Sequence, residues 1–416
     1  MQQPPWRRPP PPPTAKSQAP TATTIHDLRD DLLREIFLRL PSLPSLVRAA
    51  LTCRAFLAAV RSSPAFRRRF RSLHPPPLLG FFFESIGSDI ASFSPLRRRS
   101  DPDAAAAVRG GDVCLTRLPY NDDALPGWKI EKIRGGCLLL LNWSAQQLAV
   151  YNPLTRALDL LPMPPDEILR SGCVGELSYM DFFLLCPDEV LSPPSPFRVV
   201  SLFHDSSRVR ASVFSSGTRE WLVLPWSEAA PAQPSGVEDW LLCGAEASGG
   251  LYFAHAEQAY MVVLDTTTLQ YSLLDLPEHL EGAGHLYMIG ETKDGELCIV
   301  SVGGFTLHIW YRRAWNNAGD EMWMLDSVIP LEMEILEATE IPEDEIGMLR
   351  LKVYAVLDGI VYMFTIEEEP SAPSWFLSFC LETGELEKLF RRTFDNLVFP
   401  YFMPWPSLLV GHDMGT

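Results

Sequence analysis

Leu148-Ala-Val-Tyr-Asn-Pro-Leu-Thr-Arg-Ala-Leu-Asp-Leu-Leu-Pro162 carries the pattern on which the fold of this chain turns. An apolar run, Leu148–Tyr151, meets the pair Asn152-Pro153, and a second apolar run ends at a Leu-Pro step. Asn and Pro pre-set turn backbones, so short apolar runs that they bound read as strands joined by a tight turn. The same order returns at Val213–Pro225, Val263–Pro277 and Phe379–Leu389. The turns at Asn152, Ser216, Thr266 and Thr383 are spaced by 64, 50 and 117 residues, the last gap being about two units. Further strand-like runs fall at Cys137–Asn142, Val209–Phe214, Gly250–Phe253, Met261–Asp265, Glu296–Val302, Leu351–Leu357 and Gly359–Ile366. They are rich in the β-branched and aromatic residues that suit a pleated surface. Several short strands in a unit of roughly 50–60 residues are what propeller blades produce, and residues 78–416 hold about six such units. A multi-sheet sandwich is the rival architecture.

The period changes upstream of His74-Pro75-Pro76-Pro77. Asp30–Leu40 has apolar residues at 32, 33, 36, 37 and 40, one face of a helix. Asp30 and Asp31 stand where the helix dipole favours negative charge, and Pro41 stops the helix. The pattern predicts a second helix over Ser45–Phe56, a third over Ala58–Ser62, and a restart at Ser63-Pro64 as a cap followed by a first-turn proline. Residues 1–24 are Pro-rich and predict a disordered tail. The domain reading is therefore a tail at 1–24, a small helical unit at 25–77 and a β-domain at 78–416: a multidomain chain, α followed by all-β.

Residues 26–56, His-Asp-Leu-Arg-Asp-Asp-Leu-Leu-Arg-Glu-Ile-Phe-Leu-Arg-Leu-Pro-Ser-Leu-Pro-Ser-Leu-Val-Arg-Ala-Ala-Leu-Thr-Cys-Arg-Ala-Phe, resemble the F-box. That family reads Leu-Pro-x-acid-Leu-Leu-x-x-Ile-Phe-x-x-Leu-Pro, then Ser-Leu-x-Arg and Cys-basic-x-Trp. The layout, a box followed by a degenerate kelch-like β-half, resembles the large plant F-box families. The resemblance implies binding to a Skp-type adaptor and, through it, to the cullin and RING subunits of a ubiquitin ligase. It places adaptor contacts at Leu28, Leu32, Leu33, Ile36, Phe37, Leu40, Leu46, Arg48, Cys53 and Phe56. Arg29 replaces the usual proline and Phe56 the usual tryptophan, which implies weaker adaptor binding. The function implied is a substrate receptor that presents an unknown target protein held by the β-half. The alternatives are a non-degradative interaction scaffold and a propeller enzyme or sugar-binding module.

Composition narrows the partners. Of 416 residues, 35 are Lys or Arg and 52 Asp or Glu, a net charge of −17. This opposes a general nucleic-acid binder, which needs surplus cations for phosphates. Residues 1–77 carry thirteen basic and four acidic residues, a net of +9, which leaves −26 on the remainder. Such asymmetry suggests two units with different partners. No apolar run approaches the roughly 20 residues that span a bilayer, and the N-terminus predicts no secretory signal. None of the eight cysteines forms a Cys-x-x-Cys pair, so they read as reduced core thiols of a cytoplasmic or nuclear protein.

Enzyme signatures are missing: there is no GxxxxGK[ST], GxGxxG, HExxH or GxSxG, and the eight histidines form no close metal-ligand pair. The expectation is a chain with no catalytic residue, cofactor or metal. Seven acids and no base lie between Leu331 and Gly347, a solvated insertion or a docking surface for a basic partner. Trp143, Trp221, Trp310 and Trp375 read as blade-packing residues, while Trp240 and Trp315, beside turns, read as exposed target-binding anchors.

The chain has only six lysines, Lys16, Lys129, Lys132, Lys293, Lys352 and Lys388. Ubiquitin transfers to an ε-amine and not to a guanidinium. Lys16, in the tail, is the acceptor most able to reach a charged enzyme. Lys16→Arg is expected to remove most self-modification in a reconstituted ligase, read by mass spectrometry; modification chiefly at Lys293 or Lys388 would refute it.

Overall fold

A computed structural model of the chain describes residues 28–84, 90–96, 102–119, 127–185, 196–227, 240–242, 244–280, 287–314, 321–339, 349–367, 373–393 and 397–410. Four short helices come first: α1 (Asp30–Leu38), α2 (Leu43–Leu51), α3 (Arg54–Arg61) and α4 (Pro64–Leu73). Ser42 caps α2 by accepting from Ser45 N at 3.4 Å, and Ser63 caps α4 by accepting from Phe66 N at 3.1 Å, with Pro64 opening that helix. The second helix is shorter than its periodicity predicts. Cys53 sits in an extended conformation (φ −153°, ψ 165°) and becomes the first cap residue of α3, so the apolar series from Ser45 to Phe56 is divided between two helices.

The rest is a six-bladed β-propeller. Its sheets are β3–β6 (Lys129–Arg134, Cys137–Asn142, Gln147–Asn152, Ala157–Pro162), β7–β10 (Ser178–Leu185, Arg198–His204, Val209–Ser215, Glu220–Val223) and β11–β14 (Ala245–Ala247, Gly250–Ala254, Tyr260–Asp265, Tyr271–Asp275). They continue with β15–β18 (Tyr287–Glu291, Leu297–Gly303, Thr306–Ala314, Glu321–Pro330) and β19–β22 (Leu349–Leu357, Ile360–Glu367, Ser374–Cys380, Leu386–Arg392). The sixth sheet joins β1 (Leu78–Phe83) and β2 (Ser92–Pro95) to the last strand, β23 (Val398–Phe402), in the order β2-β1-β23. Strands within each sheet are antiparallel. Strand β23 adjoins β3, β3 adjoins β7, and β15 lies between β11 and β19, so the first strand of each full blade faces the common axis. Strand β23 takes that place in the closing blade.

The sequence repeat corresponds to the last two strands of a blade. In four blades these strands are joined by a loop of four or five residues whose fourth residue has positive φ: Arg156 (60°), Arg219 (63°), Leu269 (58°) and Gly384 (70°). Asn152 Oδ1 accepts from Leu154 N and Thr155 N, both at 3.0 Å, and Asp265 Oδ1 accepts from Thr267 N at 2.9 Å and Thr268 N at 2.6 Å. These side chains stand in for backbone partners and hold the turn. The double gap in the repeat is the β15–β18 blade. There β17 and β18 run nine and ten residues and the link between them is longer, so the pattern lapses.

The helical unit does not close its own core. Beyond β23 the chain runs back across it, and Trp405 and Leu409 are buried with Phe37, Phe56, Phe66 and Phe70. Phe70 meets Trp405 edge to face, with centroids 5.9 Å apart, and the Arg71 guanidinium lies 5.3 Å from the Trp405 ring centre. Arg61 Nε donates to Leu408 O at 2.5 Å. Gly136, at φ +75°, lets Pro404 pass; a Cβ there would lie 2.4 Å from the proline ring. A unit of fifty residues with so thin a core needs such completion. Trp405→Ala is expected to destabilise the helical unit by about 3–5 kcal/mol, the usual cost of emptying a buried Trp site. Urea unfolding followed at helical wavelengths measures it, and an unchanged midpoint would show that the segment only rests on the helices.

Candidate protein-binding site

The ten box positions separate once folded. Leu33, Phe37, Leu46 and Phe56 turn inward and are buried. Phe37 and Phe56 meet edge to face at 5.4 Å, so Phe56 packs the core of the unit and does not front its surface. This corrects the placement of Leu33, Phe37, Leu46 and Phe56 among the contacts: the helix spacing that marks an apolar face does not say which of its residues point to the unit's own interior. Leu28, Leu40 and Cys53 are half-buried, and Arg48 is exposed. Leu32 and Ile36, one turn apart on α1, are 46% and 41% exposed, and Leu51, ending α2, is 57% exposed. Large apolar residues of this kind on a small unit mark a surface that partners cover. Arg34 fixes α1 against α3, donating through Nε to Ala59 O at 2.9 Å and through Nη2 to Ser62 Oγ at 2.9 Å. Arg29 precedes α1 at φ −71°, inside the range that a proline would impose, so its backbone already holds the geometry the family's proline pre-sets.

The propeller tryptophans also depart from their reading. Trp240 is fully buried. Its Nε1 donates to Asp205 O at 2.8 Å, and its ring packs against His204 (centroids 5.3 Å) and His255 (5.6 Å). It is a pillar between neighbouring blades and not a surface anchor; an indole beside a turn is as well suited to plugging an interblade seam as to facing water. Trp315 lies outside the described residues. Trp143 stands exposed at the β4–β5 turn. Among the described cysteines Cys137 and Cys298 are buried, whereas Cys114 is exposed.

Around the propeller axis lies a charged cluster that no motif announced. Strand β3 bulges between Ile130 and Lys132, β7 between Tyr179 and Phe182, and β19 between Val353 and Ala355. The residues gained include Glu131, Asp181 and Tyr354. Asp181 accepts from Gly244 N at 2.8 Å and Lys132 Nζ at 3.3 Å, and Arg134 pairs with Glu246 at 2.5 Å. Ile130 N donates to Glu84, whose carboxyl burial pushes upward. Burial, reinforced by the Asp181 carboxylate, pushes Glu131 up to about 7. Such bulges re-aim side chains where a ladder must give way, and the result here is a change of charge near neutral pH. Among the described residues no group of three or more His, Cys, Asp or Glu is placed to hold a metal ion, and no helix is long and apolar enough to cross a membrane.

Residues 25–68 match the F-box domain, and residues 129–409 match the family described as F-box protein AT5G49610-like, beta-propeller. The chain belongs to this family of F-box proteins with a propeller half. A search of curated proteins found no match. Among solved structures, a protein from Lactobacillus plantarum is 10% identical with a TM-score of 0.38, covering 76% of this chain and 83% of its own. A quinonprotein alcohol dehydrogenase-like protein from Bacteroides thetaiotaomicron is 11% identical with a TM-score of 0.38, covering 77% of each chain. An oligogalacturonate lyase in complex with manganese is 11% identical with a TM-score of 0.32, covering 62% of each. Likenesses this distant do not bear on the chemistry of this chain.

Glu131 makes the ring pH-sensitive. An acid whose folded value lies above its ordinary 4.5 keeps a proton that the unfolded chain has released, so folding stability falls as pH rises from about 4.5 to 7 and levels off above. Glu131→Gln is expected to remove that fall, with the stability gain over wild type growing by on the order of 1 kcal/mol per pH unit inside the window. Urea midpoints of both proteins across the window measure the gain; a gain that is constant with pH would mean Glu131 titrates normally.

Proposed function

We propose that the protein is the substrate-receptor subunit of a Skp–cullin–F-box type ubiquitin ligase. The observation that carries the reading is the exposed apolar pair Leu32 and Ile36, one turn apart on α1, on a unit whose interior is already filled, in part by Trp405 and Leu409. The unit's own core has no further use for these side chains, and a Skp-type adaptor would cover them and link the chain to cullin and RING subunits. The propeller would hold the target. The receptor then acts by proximity, raising the effective concentration of a target lysine beside the charged enzyme. This role asks no chemistry of the chain's own residues and suits a cytoplasmic or nuclear location.

Leu32→Asp with Ile36→Asp tests it without touching the core, because both positions are exposed. Burying unpaired carboxylates against an apolar partner costs several kcal/mol, so adaptor capture should fall by about 100-fold or more. Circular dichroism should be unchanged. Capture at wild-type strength would refute the adaptor assignment.

A further inference from the structure

The outer strand of the β15–β18 blade is unlike its counterparts. Strand β18 has ten residues, against six, four, five and seven in β6, β10, β14 and β22. One edge pairs with β17 from Thr306 to Ala314, and the other pairs with no strand among the described residues. Met322, Met324, Leu325 and Val328 are each about half exposed, whereas β10 and β14 expose one large apolar side chain each, Leu222 and Leu273. Edge strands are ordinarily protected by shortness, by free charge or by mid-strand proline. Here the strand is long and Pro330 stands only at its end. Its two charges are already engaged, Glu321 with Arg312 at 2.9 Å and Asp326 with Arg313 at 3.0 Å.

Two further features lie beside this edge. A cleft of about 430 Å³ opens at Leu325, walled by His279, Leu280, His308 and Trp310. Trp310 is the cross-strand partner of Leu325, next to a bulge in the β17–β18 ladder, and the two imidazoles lie against its ring with centroids 4.8 and 5.9 Å away. The strand then runs directly into a helix, α5 (Glu332–Thr339), which Leu331 and Ile335 anchor in the core between two blades. That anchoring leaves Glu332, Glu334 and Glu337 facing solvent.

We infer that β18 is a docking edge for an extended segment of a partner protein that adds to the blade as a further strand. Backbone groups of the free edge supply the ladder, and alternate side chains supply selectivity. The chemistry on the page defines that segment. Its side chains toward Met324 and Leu325 are apolar, and one large aliphatic or aromatic residue enters the Trp310 cleft as the anchor. Lys or Arg stands at the end that reaches α5, where the acidic face attracts it. The site is the rim of one blade, separate from the axial cluster, and the inference rests on the receptor reading only for what becomes of the partner once held.

A phage-displayed library of random twelve-residue peptides, panned on the full chain, tests it. Enriched peptides should alternate apolar residues and carry Lys or Arg at one end. Their synthetic forms, followed by fluorescence polarisation, should lose affinity by about tenfold or more against Met324→Lys with Leu325→Lys, because two cations then meet an apolar strand. Against Glu332→Lys with Glu334→Lys they should weaken and lose salt dependence. Both variants change only exposed side chains, so adaptor capture should be retained. Enrichment of acidic peptides, or peptides that bind the Met324→Lys/Leu325→Lys variant as tightly as wild type, would overturn the docking edge and leave the receptor reading standing. Failure of wild type to capture the adaptor would strike the receptor reading alone, since peptide affinity is measured on the chain itself.

Discussion

The structure depends on the meeting of its two ends. The last strand pairs with the first along Val398–Phe402 and Leu78–Phe83, so the propeller ring exists only when the whole chain has been threaded. Without this pairing β1 would lose a partner strand and β3 its inner neighbour. Closing a loop of this length costs only slightly more entropy than closing one half as long, because the cost grows with the logarithm of length. The aromatic cluster at the seam offsets it: Phe81, Phe83, Phe376 and Phe390 pack at centroid distances from 4.5 to 6.1 Å.

The same closure builds the other half of the molecule. Having closed the ring, the chain continues as Met403–Val410, and Met403 N donates to Pro77 O at 2.8 Å, directly where the helical unit joins the propeller. Trp405 then enters the helical core. One segment therefore determines both the completeness of the ring and the completeness of the box. Leu32 and Ile36 on one unit and Met322, Met324, Leu325 and Val328 on the other are apolar side chains that the described residues leave exposed. They lie on chemically distinct surroundings, a basic helical unit and an acidic remainder.

The axis answers a different constraint. Six inner strands converging on one line bring their backbones close, as at Gly290, where a Cβ would lie 2.4 Å from Val356 O. Bulges relieve the ladder at three of these strands and bring Glu131, Asp181 and Tyr354 into a crowded polar space. There Lys132 serves Asp181 and Gly244 O at once. Crowding and low hydration, more than any single partner, push Glu131 toward neutrality.

Local chemistry made much of this legible in the sequence. Ser63-Pro64 starts a helix because a hydroxyl caps it and a proline fits its first turn. The apolar–turn–apolar order at Asn152, Ser216, Thr266 and Thr383 marks four blades because an Asn, Asp, Ser or Thr side chain can hold a turn within a few residues of itself. The box motif lies in one continuous stretch, and its helices need nothing distant to declare themselves. Tertiary structure alone decided the rest. Phe56 faces inward because Phe37 and a segment more than 300 residues away wait there; Trp240 is buried because Asp205 and two histidines of adjoining blades enclose it. The β17–β18 pair escaped the repeat because its strands are long and the link between them is longer. The bulges that gather Glu131 and Asp181 come from a register set by neighbouring strands. Periodicity records which face of an element is apolar, because that depends on residues a turn apart. Which partner covers the face depends on contacts across the whole chain, and those exist only once the ring has closed.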